Sequence, residues 1–418
     1  MCRPYHSGHS LHHRRAVAPL EAKAVKAADM LLPLLYTALL TVAVALLLPG
    51  KAFSATDAGN LRVVYGFDRE FPPYTYEGPG GKPVGFEIEL MQAAFQGSGV
   101  TLSFRPMQWE RVGIELSSGS ITLTTGMVRT KNRERLYLFS KQPTLPVQIK
   151  LFTKIYNRFP ALSLFKGQMV AVEQGTFEHR LLESYGGVNI KPFPDRDGGL
   201  RALYNDEVAA FCAPVQSGYY YINKLNYGAI TTVGTPIGVA EMRIAVNRDR
   251  GDVLRLVNEG MARVVESGEY DRLYRKWFVR ELTDKEHAII LETAAEAAIP
   301  SYVPYSKKIR GAAILTATGK VYSACPVENA DPALSLSALR ATLARAVANG
   351  EFELRAAVCV DSEGRIQKLD RNDLQSLYEF GRGILVPQEK DGGGHETAMV
   401  ATLLDNPMVK DIGLAYTE

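Results

Sequence analysis

Residues able to hold a soft metal are scarce in this chain. Its four cysteines, Cys2, Cys212, Cys325 and Cys359, lie far apart with no CxxC pair, which is too sparse for a disulfide scaffold or a cage of paired thiolates. After residue 283 the only imidazoles are His287 and His395. The His-rich first 15 residues are either a metal-binding tract, a tail, or the product of a start codon placed too early. Guanidinium groups are more plentiful. Arg133 lies within RTKNRER, and its planar fork can donate two parallel hydrogen bonds to a carboxylate without ever losing charge. Taken alone, an arginine in so charged a stretch is ordinarily solvated surface. The formal charge of +3 over 418 residues gives no reason to expect a nucleic-acid partner, whose phosphates call for clustered Lys and Arg.

The chain is too long for one ordinary domain, and 46% hydrophobic with 22% charged residues describe folded, soluble material. Met30 to Leu48 is an uncharged apolar run, preceded by Arg14, Arg15, Lys23 and Lys26 and followed by Pro49, Gly50 and AFSATDA. Basic region, apolar run and small residues are the three parts of a secretory signal. A cut near Ser54 or Ala55 is expected, although Phe53 fits poorly at the third position before a cut after Ala55. The run is also long enough to stay as a membrane anchor. In both cases residues 1–55 act as an address, the basic end stays in the cytoplasm, and the expected location is periplasmic.

Further on, short β-rich runs (LRVVYGF from Leu61, VTLSFRP from Val100, QMVAVEQ from Gln168, AAFCAP from Ala209, MRIAVN from Met242) alternate with helical stretches. The latter include GFEIELMQAAFQ, RVGIELSSG and the long run from Asp252, where Leu254, Val257, Met261, Val264 and Val265 recur at helical spacing. Such alternation predicts an α/β protein with helix-covered sheets and ligands at the carboxyl ends of strands.

In chain order the elements read as a first strand with FPPYTY (Phe71 to Tyr76), then GGKPVGFEIEL (Gly80 to Leu90), QWERVGIELSSG around Trp109 and GMVRTKNRERLYLFS (Gly126 to Ser140). VAVEQGTFEHRLLES (Val170 to Ser184) and GEYDRLYRKWF follow. This order resembles the periplasmic solute-binding proteins of family 3, the amino-acid-binding type, which capture small polar solutes for import. The resemblance covers residues 60–280. It implies a two-lobed periplasmic-binding-protein fold, with the chain crossing between lobes near 145–150 and 235–240. It also implies Arg133 against the ligand's carboxylate, Gly175 and Thr176 serving the same group, and Gly126, Tyr74 and Trp109 in or near the cleft wall. Two positions depart from the family pattern. Val128 replaces a Ser or Thr, and Pro214 stands where the family carries the carboxylate that grips an α-ammonium. Asp206 and Glu207, close by in sequence, leave a shifted amine site open. A buried ammonium without a carboxylate is unfavourable by several kcal/mol. The expected solute is therefore small and polar or anionic, bearing a carboxylate.

Residues 284–418 resemble the cytidine deaminase fold, a three-layer α/β/α domain with a mixed five-stranded sheet. The resemblance rests on YVPYS (Tyr302 to Ser306), GAAILT (Gly311 to Thr316), VENA (Val327 to Ala330) and the helix ending ARAVANGE. In that family a Cys or His and a catalytic Glu open one helix, a PCxxC turn opens the next, and together they hold zinc and move a proton. Here Ser337 and Leu339 take the first pair of places, and Asp370 and Asp373 fall in the second segment, give or take one residue. Glu328 is kept, but the neighbouring ribose-contacting Asn is Pro326, and Lys308 and Arg310 replace apolar residues. The resemblance thus implies a deaminase outline without catalytic residues, metal or cofactor, serving as an interaction or homo-oligomer surface. A weak hard-cation site at the two aspartates is the remaining metal reading.

The expected function is extracytoplasmic solute capture for an inner-membrane importer or a sensor, by a chain that is not an enzyme. The alternatives are a zinc-dependent deaminase-type hydrolase with an altered metal site and a protein that serves structure or interaction without binding.

Overall fold

Each β-rich run becomes a strand whose buried residues face helices. The structure is a computed structural model and describes residues 61–157, 162–390 and 394–404; the signal or anchor expected over residues 1–55 lies outside the described residues. The strands of the first module are β1 (Leu61–Asp68), β2 (Glu70–Phe71), β3 (Thr75–Glu77), β4 (Pro83–Val84), β5 (Val100–Met107), β6 (Leu123–Val128), β7 (Tyr137–Phe139), β8 (Leu145–Lys154), β9 (Met169–Glu173), β10 (Asn189–Phe193), β11 (Ala210–Pro214) and β12 (Ile230–Asn247). Its helices are α1 (Phe86–Phe95), α2 (Trp109–Ser117), α3 (Lys131–Leu136), α4 (Phe177–Tyr185), α5 (Arg196–Tyr204), α6 (Val215–Leu225), α7 (Gly251–Glu266) and α8 (Glu269–Phe278).

The main sheet runs β10-β9-β11-β8-β12-β6-β1-β5, with β7 added beside β12 and β2 to β4 forming a small sheet of their own. Its two flanks are parallel. Between them β8 and β12 pair antiparallel and join one flank to the other. Each parallel flank with its helices is one lobe, as a two-lobed α/β fold requires. The long helical run from Asp252 differs from its periodicity in one respect. It breaks between α7 and α8 at Gly268, whose φ of 75° is left-handed. Val257, Met261 and Val264 are buried, whereas Val265 faces outward.

The second module follows as α9 (Asp284–Ala298), β13 (Arg310–Thr316), β14 (Val321–Ala324), α10 (Ala338–Ala348), β15 (Leu354–Asp361), α11 (Arg371–Tyr378), β16 (Leu385–Glu389), β17 (His395–Met399) and α12 (Val400–Leu403). Thr283 and Glu286 form a reciprocal capping box at the start of α9. The five strands form a mixed sheet in the order β14-β13-β15-β16-β17. On one face Ala312, Ile314 and Ala357 pack with Leu339 and Leu343 of α10 and Leu374 and Leu377 of α11. On the other, Ala313, Leu315 and Val358 meet Ile290 and Ala294 of α9 in a core that continues into the first module. The described residues of both modules belong to one compact unit. Among the described residues no helix is long and apolar enough to cross a membrane.

Candidate functional site

Both lobes contribute to one narrow cleft at the carboxyl ends of their strands, with a cavity of about 40 Å³. Asp68, Phe71, Trp109, Gly126, Val128 and Arg133 line it from the first lobe; Thr176, Phe177, Glu178, Arg196 and Pro214 line it from the second. Local chemistry fixes several of these. Thr130 caps α3 by accepting from the Arg133 backbone N–H at 3.3 Å, which orients the arginine. Arg133 Nη1 then donates to the Val128 carbonyl at 2.9 Å, and the guanidinium stands 5.9 Å from the centre of the Trp109 ring.

Gly126 is required where it is. Its φ is +70°, and a Cβ there would approach Glu87 Oε2 to 3.3 Å and the Phe71 ring to 3.5 Å. Glu87 is wholly buried and accepts from Thr144 Oγ1 at 2.5 Å; burial pushes its carboxyl pKa up. Across the cleft Thr176 caps α4. Its hydroxyl accepts from His179 N at 3.3 Å and donates to the Glu173 carbonyl at 2.9 Å. The first turn of α4 therefore presents its N–H end to the cleft, an arrangement suited to an anion.

Four residues singled out from the sequence (Arg133, Thr176, Gly126 and Trp109) thus line one cleft. Two do not. Tyr74, expected near the aromatic wall, is fully buried behind it; its ring packs 4.6 Å from Phe71, and its hydroxyl donates to Gln216 Oε1 at 2.9 Å. Phe71 takes the place on the wall. Gly175 is exposed, has a left-handed φ of +72°, and spends its N–H on His179 Nδ1 at 3.2 Å. Nor do Asp206 and Glu207 supply an amine site in the cleft, because Lys154 and Lys191 engage them elsewhere.

The residues not anticipated are charged. Asp68 ends β1 and Glu173 ends β9, the strand ends where this fold class places ligands, and that rule could have found both. Arg196, only 5% exposed, opens α5 after its cap Asp195. Its Nη2 is 2.6 Å from Glu173 Oε2, an ion-pair contact rather than an aligned hydrogen bond. Its guanidinium also lies 4.3 Å from the centre of the Phe71 ring. Burial raises the Asp68 carboxyl to about 6 and that of Glu173 to about 8, with Arg196 pulling both back down.

In the second module two helix starts meet. Ser337 caps α10 and donates to Asp373 Oδ1 at 2.6 Å, while Asp370 caps α11 by accepting from Asp373 N at 2.8 Å. Arg340 Nε lies 3.1 Å from Ser337 Oγ and 3.5 Å from Asp373 Oδ1. Leu339 is 1% exposed in the core. Glu328 accepts from the Tyr305 and Ser306 N–H groups at 2.9 and 3.1 Å, holding the YVPYS turn. Cys359 is buried, which raises its thiol to about 11. This donor set does not fit zinc. Zinc wants thiolates or neutral imidazoles. The site offers a neutral hydroxyl and a carboxylate already bonded by that hydroxyl and by a guanidinium. Among the described residues no three His, Cys, Asp or Glu side chains are grouped to hold a metal.

Known proteins match the chain over two overlapping stretches. Residues 63–280 match the family profile of the bacterial extracellular solute-binding proteins, family 3. Residues 269–371 match that of the cytidine and deoxycytidylate deaminase zinc-binding region. An L-cystine-binding protein of Escherichia coli is 26% identical over 253 residues, covering 58% of this chain and 94% of the relative. An arginine-binding extracellular protein of Bacillus subtilis is 23% identical over 247 residues, covering 56% and 92%. Among solved structures, a histidine kinase sensor domain with similarity to periplasmic binding proteins aligns with a TM-score of 0.50 and 25% identity, over 53% of this chain and 97% of that one.

Proposed function

The chain belongs to the bacterial extracellular solute-binding proteins, family 3, and on that premise we propose that its cleft captures a small, carboxylate-bearing, amino-acid-like solute outside the cytoplasm. The observation that carries this reading is Arg133. Its guanidinium is braced by the Val128 carbonyl and lines the same cleft as the N-terminal turn of α4 at Thr176 in the other lobe. A carboxylate entering there meets a permanent cation from one lobe and helix N–H groups from the other. Pro214 at the expected ammonium position argues for a solute recognised first by its carboxylate. The relatives that bind L-cystine and arginine support an amino-acid-sized solute. Relatives named as arginine-binding proteins of ABC transporters favour delivery to an importer; the sensor-domain relative favours an input module.

The deaminase-like module is read as non-catalytic. Ser337, Leu339, Asp370 and Asp373 lack the soft ligands and the proton shuttle that hydrolytic deamination needs. Thermal melting of the purified protein against amino acids, dicarboxylates and nucleosides tests both readings. At least one carboxylate should raise the melting temperature in a concentration-dependent way, and Arg133→Ala should abolish the rise. A rise that survives Arg133→Ala overturns the cleft assignment. Stoichiometric zinc with cytidine turnover overturns the non-catalytic reading.

A further inference from the structure

The lobes touch across the cleft through a guanidinium the protein itself supplies. Arg196 belongs to the second lobe, yet its charge sits over Phe71 of the first at 4.3 Å, and its Nη1 donates to the Glu70 carbonyl at 3.4 Å. Two further contacts join the same surfaces. The Tyr221 hydroxyl donates to the Glu70 carbonyl at 3.2 Å, and the Tyr74 hydroxyl donates to Gln216 Oε1 at 2.9 Å. Around the guanidinium stand three acidic side chains, those of Asp68, Glu173 and Glu178, whose charge acts on it when they are ionised. Glu173 lies directly against it at 2.6 Å.

This end of the cleft therefore has every feature that attracts an organic cation: buried acids with little water to screen them, and an aromatic face at cation–π range. Arg196 already fills that role. An arginine stays charged at any working pH, so it cannot leave as a neutral group. A second cation brought to the same carboxylates would meet Arg196 at short range, where like charges repel strongly. An uncharged group meets no such opposition, and a second carboxylate could share the guanidinium with Glu173.

We infer that Arg196 is a built-in counter-ion that sets the specificity of the cleft, occupying its acidic and aromatic end so that solutes with a cationic side chain are excluded and those with an uncharged or anionic remainder are accepted. This rests on the proposal that Arg133 receives the solute's carboxylate.

Calorimetric titration of the full chain with L-arginine, L-lysine, L-citrulline, L-glutamine and L-glutamate tests it. Citrulline has nearly the shape of arginine without its charge. The wild-type protein should bind citrulline at least as tightly as arginine. In Arg196→Gln, arginine or lysine should bind at least ten-fold tighter than to the wild type, while Arg196→Lys keeps the wild-type ranking. Arg196→Met supplies a second uncharged variant if the glutamine form does not fold. Ten-fold tighter wild-type binding of arginine than of citrulline overturns the inference without any variant. So does a folded Arg196→Gln or Arg196→Met protein that gains no affinity for arginine or lysine. Arg133→Ala separates the two ideas: binding that survives it refutes the carboxylate site, whereas an unchanged ranking in Arg196→Gln refutes only the counter-ion.

Discussion

Lys150 Nζ lies 2.6 Å from Glu353 Oε1, and this ion pair joins the two modules. Lys150 is 1% exposed and sits on β8, one residue after Ile149, which lines the cleft. Successive side chains of a strand point to opposite faces. The strand linking the two lobes thus presents one residue to the cleft and the next to the C-terminal module. The first lobe is held to the same module elsewhere. Arg382 pairs with Asp271 at 2.8 Å and stacks 4.6 Å from the Tyr270 ring, and Arg275 donates to the Thr397 carbonyl at 2.9 Å. The deaminase-like domain is therefore packed against both lobes behind the cleft.

Removing one partner of the Lys150–Glu353 pair should be far worse than removing the charge altogether. Glu353→Ala leaves an ammonium buried without a counter-ion, which costs about 3–5 kcal/mol. The double variant Lys150→Met/Glu353→Leu removes both charges, fills similar volume with apolar chains, and should change stability by less than about 1 kcal/mol in either direction. Urea denaturation of the two variants measures the contrast. Equal losses would mean the pair acts through packing alone.

Gly311→Ala should loosen the second module. A Cβ at Gly311 would fall 1.9 Å from the Ala294 carbonyl oxygen and 2.5 Å from Ala298 N, both backbone atoms of α9. Neither can swing aside, so α9 must lift from β13, at a cost on the order of 1–3 kcal/mol or more. Circular dichroism melts of the variant should show a clear loss, whereas Gly319→Ala leaves packing untouched, because nothing lies within reach of a Cβ there, and costs only the strain of its φ of +82°.

These two sites also show what was legible in advance. Runs such as LRVVYGF and MRIAVN could be placed on strands because β-rich composition is local and leaves marks in short segments, whereas Ser337 and Asp373 are matched to two helix starts only through the deaminase resemblance. Gly126 and Thr176 enter only through the resemblance to the solute-binding family; the left-handed φ of the one and the helix cap of the other are seen in the fold. Arg196 was not legible. DRDGG reads as a solvated charged turn, and only Glu173 and Glu70, distant in sequence, turn it into a buried cation. Lys150 is hidden in a similar way. A lysine alternating with apolar residues on a strand belongs on a wet face, unless another module covers that face. Tyr74 and Phe71 lie three residues apart, and which of them reaches the cleft depends on the packing of Phe278 and Gln216 behind them.

Stability should fall as the pH rises from about 5 to about 8, in part through Glu173. Burial raises its folded value from 4.5 to about 8. The folded state therefore holds the proton more tightly than the unfolded chain. The resulting stability is fully present below about 4.5 and is lost as pH climbs through about 8, a contribution on the order of 1–3 kcal/mol. Asp68, raised to about 6, adds a smaller effect of the same sign at lower pH. Glu173→Gln removes the titrating group, so its melting temperature should depend less steeply on pH across this window than the wild type. A wild-type slope retained in Glu173→Gln assigns the dependence to other groups.

Restoring a glutamate at position 339 should damage the second module without creating a deaminase. Leu339 packs with Ala312, Leu343 and Leu374 at 1% exposure, facing the sheet. Among the described residues that cluster is apolar, so a carboxylate placed there must either bury its charge or take up a proton, a cost of several kcal/mol. Ser337 and Asp373, at the starts of α10 and α11, are already bonded to one another at 2.6 Å, with Arg340 beside them. Leu339→Glu should therefore lower the melting temperature by many degrees, with no cytidine hydrolysis and no tight zinc binding by metal analysis. The Ser337–Asp373 bond, by contrast, ties the starts of α10 and α11 together directly. Ser337→Ala removes that bond and the α10 cap in one step, at a cost of about 1–3 kcal/mol. If Ser337→Ala melts like the wild type, the bond does not hold the two helices together, and their packing through Leu339 and Leu374 alone accounts for the module's stability.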